Sequence, residues 1–330
     1  MSRETQSTPR ERAAPPPFHL VRAGVSAVER VSPSFARITF AGPGLADFGT
    51  PGATFDQRIK LVFPPDTGVL PELSGAGHDW YRAWLEVPEA ERGSMRTYSI
   101  RELRAAGGRT EVIVDFVLHL EPGLTGPASR WADRAAVGDE LILIGPRRGR
   151  SDGGGVEWDP GSADEVLLAG DETAAPAIAR ILEDAAETLR GAAYIEVPEA
   201  ADRLPISAPA GVAVHWLVRG AAPHGSALIP AISAALGAST GDGEAEPTAS
   251  AAAVSDAADP AQLLWETPQY SGSGEEIAAA SAPHAGGYFW IAGESGVVTT
   301  LRRHLVKTLG IDRSRVAFMG YWRRGVAMRG

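Results

Sequence analysis

Leu167-Leu168-Ala169-Gly170-Asp171-Glu172-Thr173-Ala174-Ala175-Pro176-Ala177-Ile178 is the stretch on which the fold turns. Glu165–Ala169 is a short apolar run suited to a buried strand, and Gly170–Pro176 reads as a turn. Beyond it Ile178, Ile181, Leu182, Ala185 and Leu189 recur at helical spacing, up to a stop at Gly191. A strand, a tight turn and a helix form a nucleotide cradle at the carboxyl edge of a parallel sheet. The turn is not a Gly-x-Gly-x-x-Gly fingerprint, because two acids replace the usual glycines. Taken alone, it serves an ordinary strand–helix connection equally well.

Downstream the same alternation continues. Ala193–Val197, Val212–Val218, Tyr288–Ala292 and Arg315–Met319 read as strands, and a helix is predicted from about Val297 to Leu309, stopped by Gly310. Strands alternating with helices predict a parallel sheet covered on both faces. Gly293-Glu294-Ser295-Gly296 is a second strand-to-helix turn. From about 237 to 287 the chain is Ala, Ser, Gly, Glu and Pro, broken by LLWETPQY at 263–270, and a mobile insertion is expected.

Upstream the period changes. Val25–Val31, Ala36–Phe40, Arg58–Phe63, Met95–Arg101, Glu111–His119 and Glu140–Ile144 are rich in Val, Ile, Phe and Tyr and separated by Pro and Gly. Six such runs predict a six-stranded antiparallel β-barrel, with one helical turn at 79–85. The polar, proline-rich residues 1–17 are expected to be a disordered lead. The expected division is therefore a lead at 1–17, a barrel domain at 18–155 and a Rossmann-like α/β domain at 156–330.

Composition narrows the chemistry. With 44% hydrophobic and 22% charged residues the chain reads as globular, and no apolar run approaches the ~20 residues of a membrane span. Without a secretory apolar core at the start, a cytoplasmic protein is expected. The formal charge of -10 argues against nucleic acid as a partner. There is no cysteine, which excludes disulfides, a thiol nucleophile and a cysteine-ligated iron–sulfur cluster. Redox chemistry would have to come from an organic cofactor or from a metal carried by the substrate. The seven histidines are scattered without ligand spacing, so no resident metal is expected.

Two motifs sit in the barrel region. Arg96-Thr97-Tyr98-Ser99 opens a strand on which Arg96 and Tyr98 share one face and Ser99 the other. A flavin nucleotide needs a cation for its pyrophosphate, a flat ring against its own ring system, and short donors at its polar edge; these four residues supply all three. Alone, the motif is better explained by an exposed arginine beside a packed tyrosine. Gly126-Pro127-Ala128-Ser129 follows at a helix start, where free backbone N–H groups bind an anion. At the end of the second α/β strand, Glu196 is placed to hydrogen-bond a ribose 2′-hydroxyl, which would favour NADH, while Arg203 and Arg219 nearby suit a 2′-phosphate. Tyr321-Trp322-Arg323-Arg324-Gly325 closes the chain's readable pattern.

Together with QRIKLVFP (57–64), WYRAW (80–84), VDFVLH (114–119), YIEVP (194–198) and WIAGESG (290–296), these segments resemble the ferredoxin–NADP reductase superfamily. Within it the chain is similar to the siderophore-interacting proteins from Val21 to Gly325. The resemblance implies an NAD(P)H-dependent flavoprotein that reduces ferric siderophores, with hydride passing to FAD and single electrons to Fe(III). It implies FAD contacts at Arg96, Thr97, Tyr98, Ser99, His119, Gly126, Ala128 and Ser129. NADPH or NADH would lie near Gly170, Asp171, Glu172, Thr173, Glu196, Gly293, Glu294 and Trp322. An anionic chelate would meet Lys60, one of only two lysines, with Arg323 and Arg324 as further candidates. No catalytic acid–base residue is required, because the cofactors carry the chemistry. A monomer is expected. The alternatives are a general NAD(P)H:flavin or ferredoxin/flavodoxin-type reductase and, in another class, a non-catalytic siderophore-binding protein.

Overall fold

The computed structural model describes residues 15–120, 125–237, 263–268, 270–271 and 286–325. The barrel portion is a seven-stranded antiparallel sheet in the order β4-β3-β7-β1-β2-β6-β5. Its strands are β1 (Phe18–Ser32), β2 (Phe35–Ala41), β3 (Arg58–Phe63), β4 (Ser94–Ser99), β5 (Glu102–Ala106), β6 (Arg109–Val117) and β7 (Glu140–Pro146). The seventh strand, β5, escaped the sequence reading because Glu-Leu-Arg-Ala-Ala has no apolar alternation; it exists only as the edge partner of β6. Helix α1 (Trp80–Glu86) lies in the loop between β3 and β4, and α2 (Pro127–Arg134) closes the barrel.

The barrel core is aromatic. Trp131 of α2 meets Phe63 at 5.5 Å and Phe116 at 5.8 Å between ring centroids, and Tyr98 lies 4.5 Å from Phe116. Trp131 is 8% exposed, so its burial holds α2 on the barrel by roughly 2 kcal/mol. The Arg-Thr-Tyr-Ser strand and the Gly-Pro-Ala-Ser helix thus rest on one cluster.

The second portion contains β8 (Glu165–Gly170), α3 (Ala175–Asp184), β9 (Arg190–Val197), β10 (Gly211–Val218) and α4 (Leu228–Gly237). After these come β11 (Trp265–Thr267), β12 (Tyr270–Ser271), β13 (Gly287–Glu294), α5 (Ser295–Arg302) and β14 (Val316–Trp322). The sheet order is β10-β9-β8-β13-β14-β11-β12, with the first five strands parallel and the β11–β12 hairpin antiparallel at the edge. α3 covers one face through Ile178, Ile181 and Leu182, and α4 and α5 cover the other through Leu228, Ile232, Val298 and Leu301. The order turns back on itself between β8 and β13. Such a reversal opens a crevice at the carboxyl ends of the two strands.

Two expectations are corrected here. The stretch 263–268 is not loose insertion: Glu266 is buried at 5% exposure and accepts from Arg302 and Arg313 at 2.6 and 2.8 Å. Most of the remaining insertion, 238–262 and 272–285, lies outside the described residues. Of the lead, 1–14 lies outside them too, but Pro16 and Pro17 are pinned, their carbonyls accepting from Arg147. The helix α4 had no expectation at all.

Carboxylates fasten the two portions together. Asp56 is fully buried between β2 and β3 and accepts from the amides of Glu157 and Trp158 and from the Trp290 indole. Asp184 accepts from the amides of Thr54 and Phe55, at a turn where Phe55 holds a left-handed φ of 47°. Asp202 accepts from the hydroxyls of Ser32 and Ser34. Arg101, just past the Arg-Thr-Tyr-Ser strand, pairs bidentately with Glu183 of α3.

Candidate functional site

At the reversal of the sheet, Gly170 pairs in register with Ala292, so the two strand-to-helix turns stand side by side. Asp171 joins them. Its carboxylate accepts from the Thr173 amide at 2.9 Å, the Thr173 hydroxyl at 2.5 Å, the Glu294 amide at 2.7 Å and the Trp322 indole N–H at 2.9 Å. One buried acid therefore draws three of the sequence motifs into one place. Gly293 allows the approach: its φ is 141°, and a Cβ there would lie 2.7 Å from Asp171 Oδ2. Gly170 is tight for the same reason, with Ala174 Cβ and Ala292 O in the way of any side chain. Burial and the neighbouring Glu172 push the Asp171 carboxyl up from its ordinary range, against its hydrogen bonds.

Glu172 is fully buried beside it. Arg219 grips its carboxylate bidentately at 2.6 and 2.8 Å, and His224 Nε2 lies 3.1 Å away. His119 Nε2, from the barrel portion, is at 3.3 Å, off the line of a good hydrogen bond. Burial alone would raise the Glu172 pKa, but His119, His224 and Arg219 outweigh it and hold the carboxyl well below its ordinary value. The Trp322 ring stands edge-on to both imidazoles, at 5.1 Å from His119 and 4.8 Å from His224.

The acids expected to meet a cofactor are spent within the protein. The ribose role expected of Glu196 is corrected: it is fully buried and accepts from the amides of Gly225, Ala227 and Leu228 at the start of α4. Glu294 caps α5, accepting from the amides of Gly296 and Val297 at 2.7 and 3.0 Å. Arg219 is committed to Glu172 and so is not left over for a 2′-phosphate, while Arg203 is exposed. What these turns offer an incoming nucleotide is backbone, not carboxylate.

The barrel side is different. Arg96 makes no ion pair among the described residues; its Nη1 donates to its neighbour's carbonyl at 2.6 Å, and burial lowers its pKa. A half-buried guanidinium without an acid is a cation set for an anion. Opposite, α2 begins at Gly126 with no side-chain cap, so the amides of its first turn are open. Ser129 donates its hydroxyl to the Val117 carbonyl at 3.0 Å and accepts from the His119 amide at 3.3 Å, leaving its own amide for a ligand. Thr97 is exposed, Tyr98 and Ser99 are half-buried, and Ala128 is buried. These residues fit a flavin dinucleotide: an unpaired cation and uncapped amides for its pyrophosphate, and a tyrosine ring for its flat part.

Lys60 lies in β3 opposite Thr97, and its Nζ donates to the Thr97 hydroxyl at 2.7 Å. Desolvation and the neighbouring Arg58 charge lower its pKa. Arg323 and Arg324 are exposed beyond β14, and the Arg324 amide donates to Glu294 at 3.3 Å.

Comparison with known proteins agrees with this geometry. Residues 24–150 match the siderophore-interacting FAD-binding domain, and 163–325 match the siderophore-interacting protein model. The chain belongs to the siderophore-interacting protein family. A siderophore utilization protein from T. fusca superposes with a TM-score of 0.65 at 27% identity, over 96% of this chain and 97% of that one. A Mycobacterium tuberculosis protein is 38% identical over 199 residues, 59% of this chain and 64% of its own length. The ferric vibriobactin reductase of Vibrio cholerae is 34% identical over 192 residues, 57% of this chain and 63% of its own. The matches to these two relatives thus span a little under two thirds of their lengths. The architecture, an antiparallel barrel sheet followed by an α/β sheet, is of the ferredoxin-reductase type. No helix of the described residues is long and apolar enough to cross a membrane.

His224 and the pairing of Arg219 with Glu172 were missed by sequence reasoning. The available signal was position: both lie in the loop after β10, on the carboxyl edge of the parallel sheet, where such folds place their functional residues.

Proposed function

We propose that this chain binds FAD in the barrel cleft and, with NADPH or NADH, reduces a ferric siderophore so that iron is released as Fe(II). The observation that carries the reading is Arg96, a half-buried cation without an acid partner among the described residues, on the strand whose Tyr98 shares an aromatic cluster with Trp131 of the uncapped helix α2. Bound there, FAD supplies the means of taking two electrons as a hydride and releasing them singly. The chain's own residues hold and orient. Arg96 and the first-turn amides of α2 take the pyrophosphate, Tyr98 supports the ring, and Gly170 and Gly293 keep side chains out of the crevice at the sheet reversal. Lys60 draws an anionic chelate to the rim against the net charge of the chain. Ferric iron is a hard ion held by oxygen ligands, and its reduction weakens that hold.

The test uses purified protein. It should be yellow with one FAD per chain, bleach on NADH or NADPH, and regain colour with a ferric siderophore while a ferrous chelator traps Fe(II). Bleaching followed by recovery only with oxygen or free flavin would point to a general flavin reductase. A colourless protein that takes up no FAD would end the proposal.

A further inference from the structure

We propose that Glu172 is a positioning residue, a latch through which the α/β portion fixes the loop and first helical turn of the flavin cradle, with His119 as its contact across the domains and His224 as its support. The geometry supplies a path of close contacts. Arg219 and His224, from the loop between β10 and α4, hold the carboxylate from one side at 2.6 and 3.1 Å. His119, from the loop that leads into α2, lies 3.3 Å from Oε1, the oxygen that His224 also meets. The His119 amide donates to the Ser129 hydroxyl, and that hydroxyl donates to Val117. Ser129 lies in the first turn of α2, whose amides are the anion-binding end of the cradle.

The charge of Glu172 is needed in this place. An ionised carboxylate only accepts, so His224 must present its Nε2–H to it, while His119 lies within 3.3 Å of the same charge. The groups that face it are Arg219 with His224 from the loop after β10, His119 from the loop after β6, the neighbouring Asp171, and the Trp322 ring of β14. Glu196 of β9 shares Arg219 at a distance of 3.9 Å. Arg219 is nearly buried between two acids and keeps the latch from drifting. α2 is anchored on its barrel side by Trp131, so losing the latch should loosen 118–120 and the first turn of α2 and not the barrel. Only the identity of the ligand in the test rests on the proposed function.

The experiment is a double-mutant cycle on the full chain, His119→Ala with Glu172→Gln, read by fluorescence titration with FAD and by backbone hydrogen exchange of the ligand-free protein. Each single variant should weaken FAD by about three- to thirtyfold, and the double variant should be no weaker than the worse single, because both cut one path. Exchange over 117–130 should quicken in each, while β8 and β13 are unchanged. His119→Gln, which keeps an N–H at similar reach, should restore wild-type affinity and exchange. Additive losses, or unchanged exchange over 117–130 in both singles, would overturn the latch. If Glu172→Gln fails to fold, because Arg219 loses its bidentate partner, His224→Ala takes its place, since it spares that pair. A wild type that takes up no FAD would defeat the proposed function, and the exchange arm would still decide the latch.

Discussion

At the scale of single residues, the site divides between side chains that wait for a ligand and side chains already spoken for. Arg96 is of the first kind. Arg96→Ala removes charge-assisted hydrogen bonds worth about 1.5–3 kcal/mol, so FAD affinity should fall by about ten- to a hundredfold in a fluorescence titration; full retention by a folded variant would displace Arg96 from the pyrophosphate. Lys60 is the second test. Lys60→Ala should raise the apparent KM for an anionic ferric chelate by about threefold, leave a neutral chelate and the FAD content unchanged, and lose the difference in high salt. Equal losses for both chelates would mean that Lys60 acts through packing. The strand positions of Arg96, Tyr98 and Lys60 were legible because the strand period fixes their faces. The roles of Glu196 and Glu294 were not legible. A carboxylate after a strand can meet a ribose or cap a helix, and only the position of α4 and α5 decides which.

At the scale of elements, the β11–β12 hairpin departs most from expectation. Trp265 stacks under Arg58 of β3 at 4.2 Å, and Glu266 sits between Arg302 and Arg313. Glu266→Ala leaves the Arg302 and Arg313 guanidiniums without this acid and should cost about 3–5 kcal/mol in urea unfolding. Replacing Ser239–Ala258 by a short Gly/Ser linker should, by contrast, leave flavin reduction by NAD(P)H intact, and stopped-flow absorbance would show it. Slowed reduction in an FAD-loaded linker variant would prove that segment functional. The strands β8 and β13 were readable as apolar runs bounded by glycines, since both faces of a parallel sheet are buried. β5 was not, because an edge strand is specified by its neighbour, and α4 begins where Glu196, some thirty residues earlier, caps it.

At the scale of the whole molecule, the two portions meet through carboxylates, and that interface should respond to acid. The Glu172 carboxyl is held well below its ordinary value of 4.5, so its contribution to stability is complete above that pH and is lost as pH falls through the lower folded value. Urea midpoints measured at pH 5.5 and below about pH 4 should therefore drop further in wild type than in Glu172→Gln; parallel drops would mean that Glu172 does not stabilise the fold in its charged form. The sequence by itself determined a barrel followed by an α/β sheet, and it excluded cysteine chemistry. Those follow from period, composition and local turn chemistry, which act over a few residues. The tertiary structure alone decided that Gly170 and Gly293 stand side by side, that Asp171 binds Trp322 from 151 residues away, and that His119 and His224 share one acid. Strand order and domain docking create these contacts, and a buried carboxylate takes whichever donors the fold brings to it, because leaving it without them costs more than any local preference.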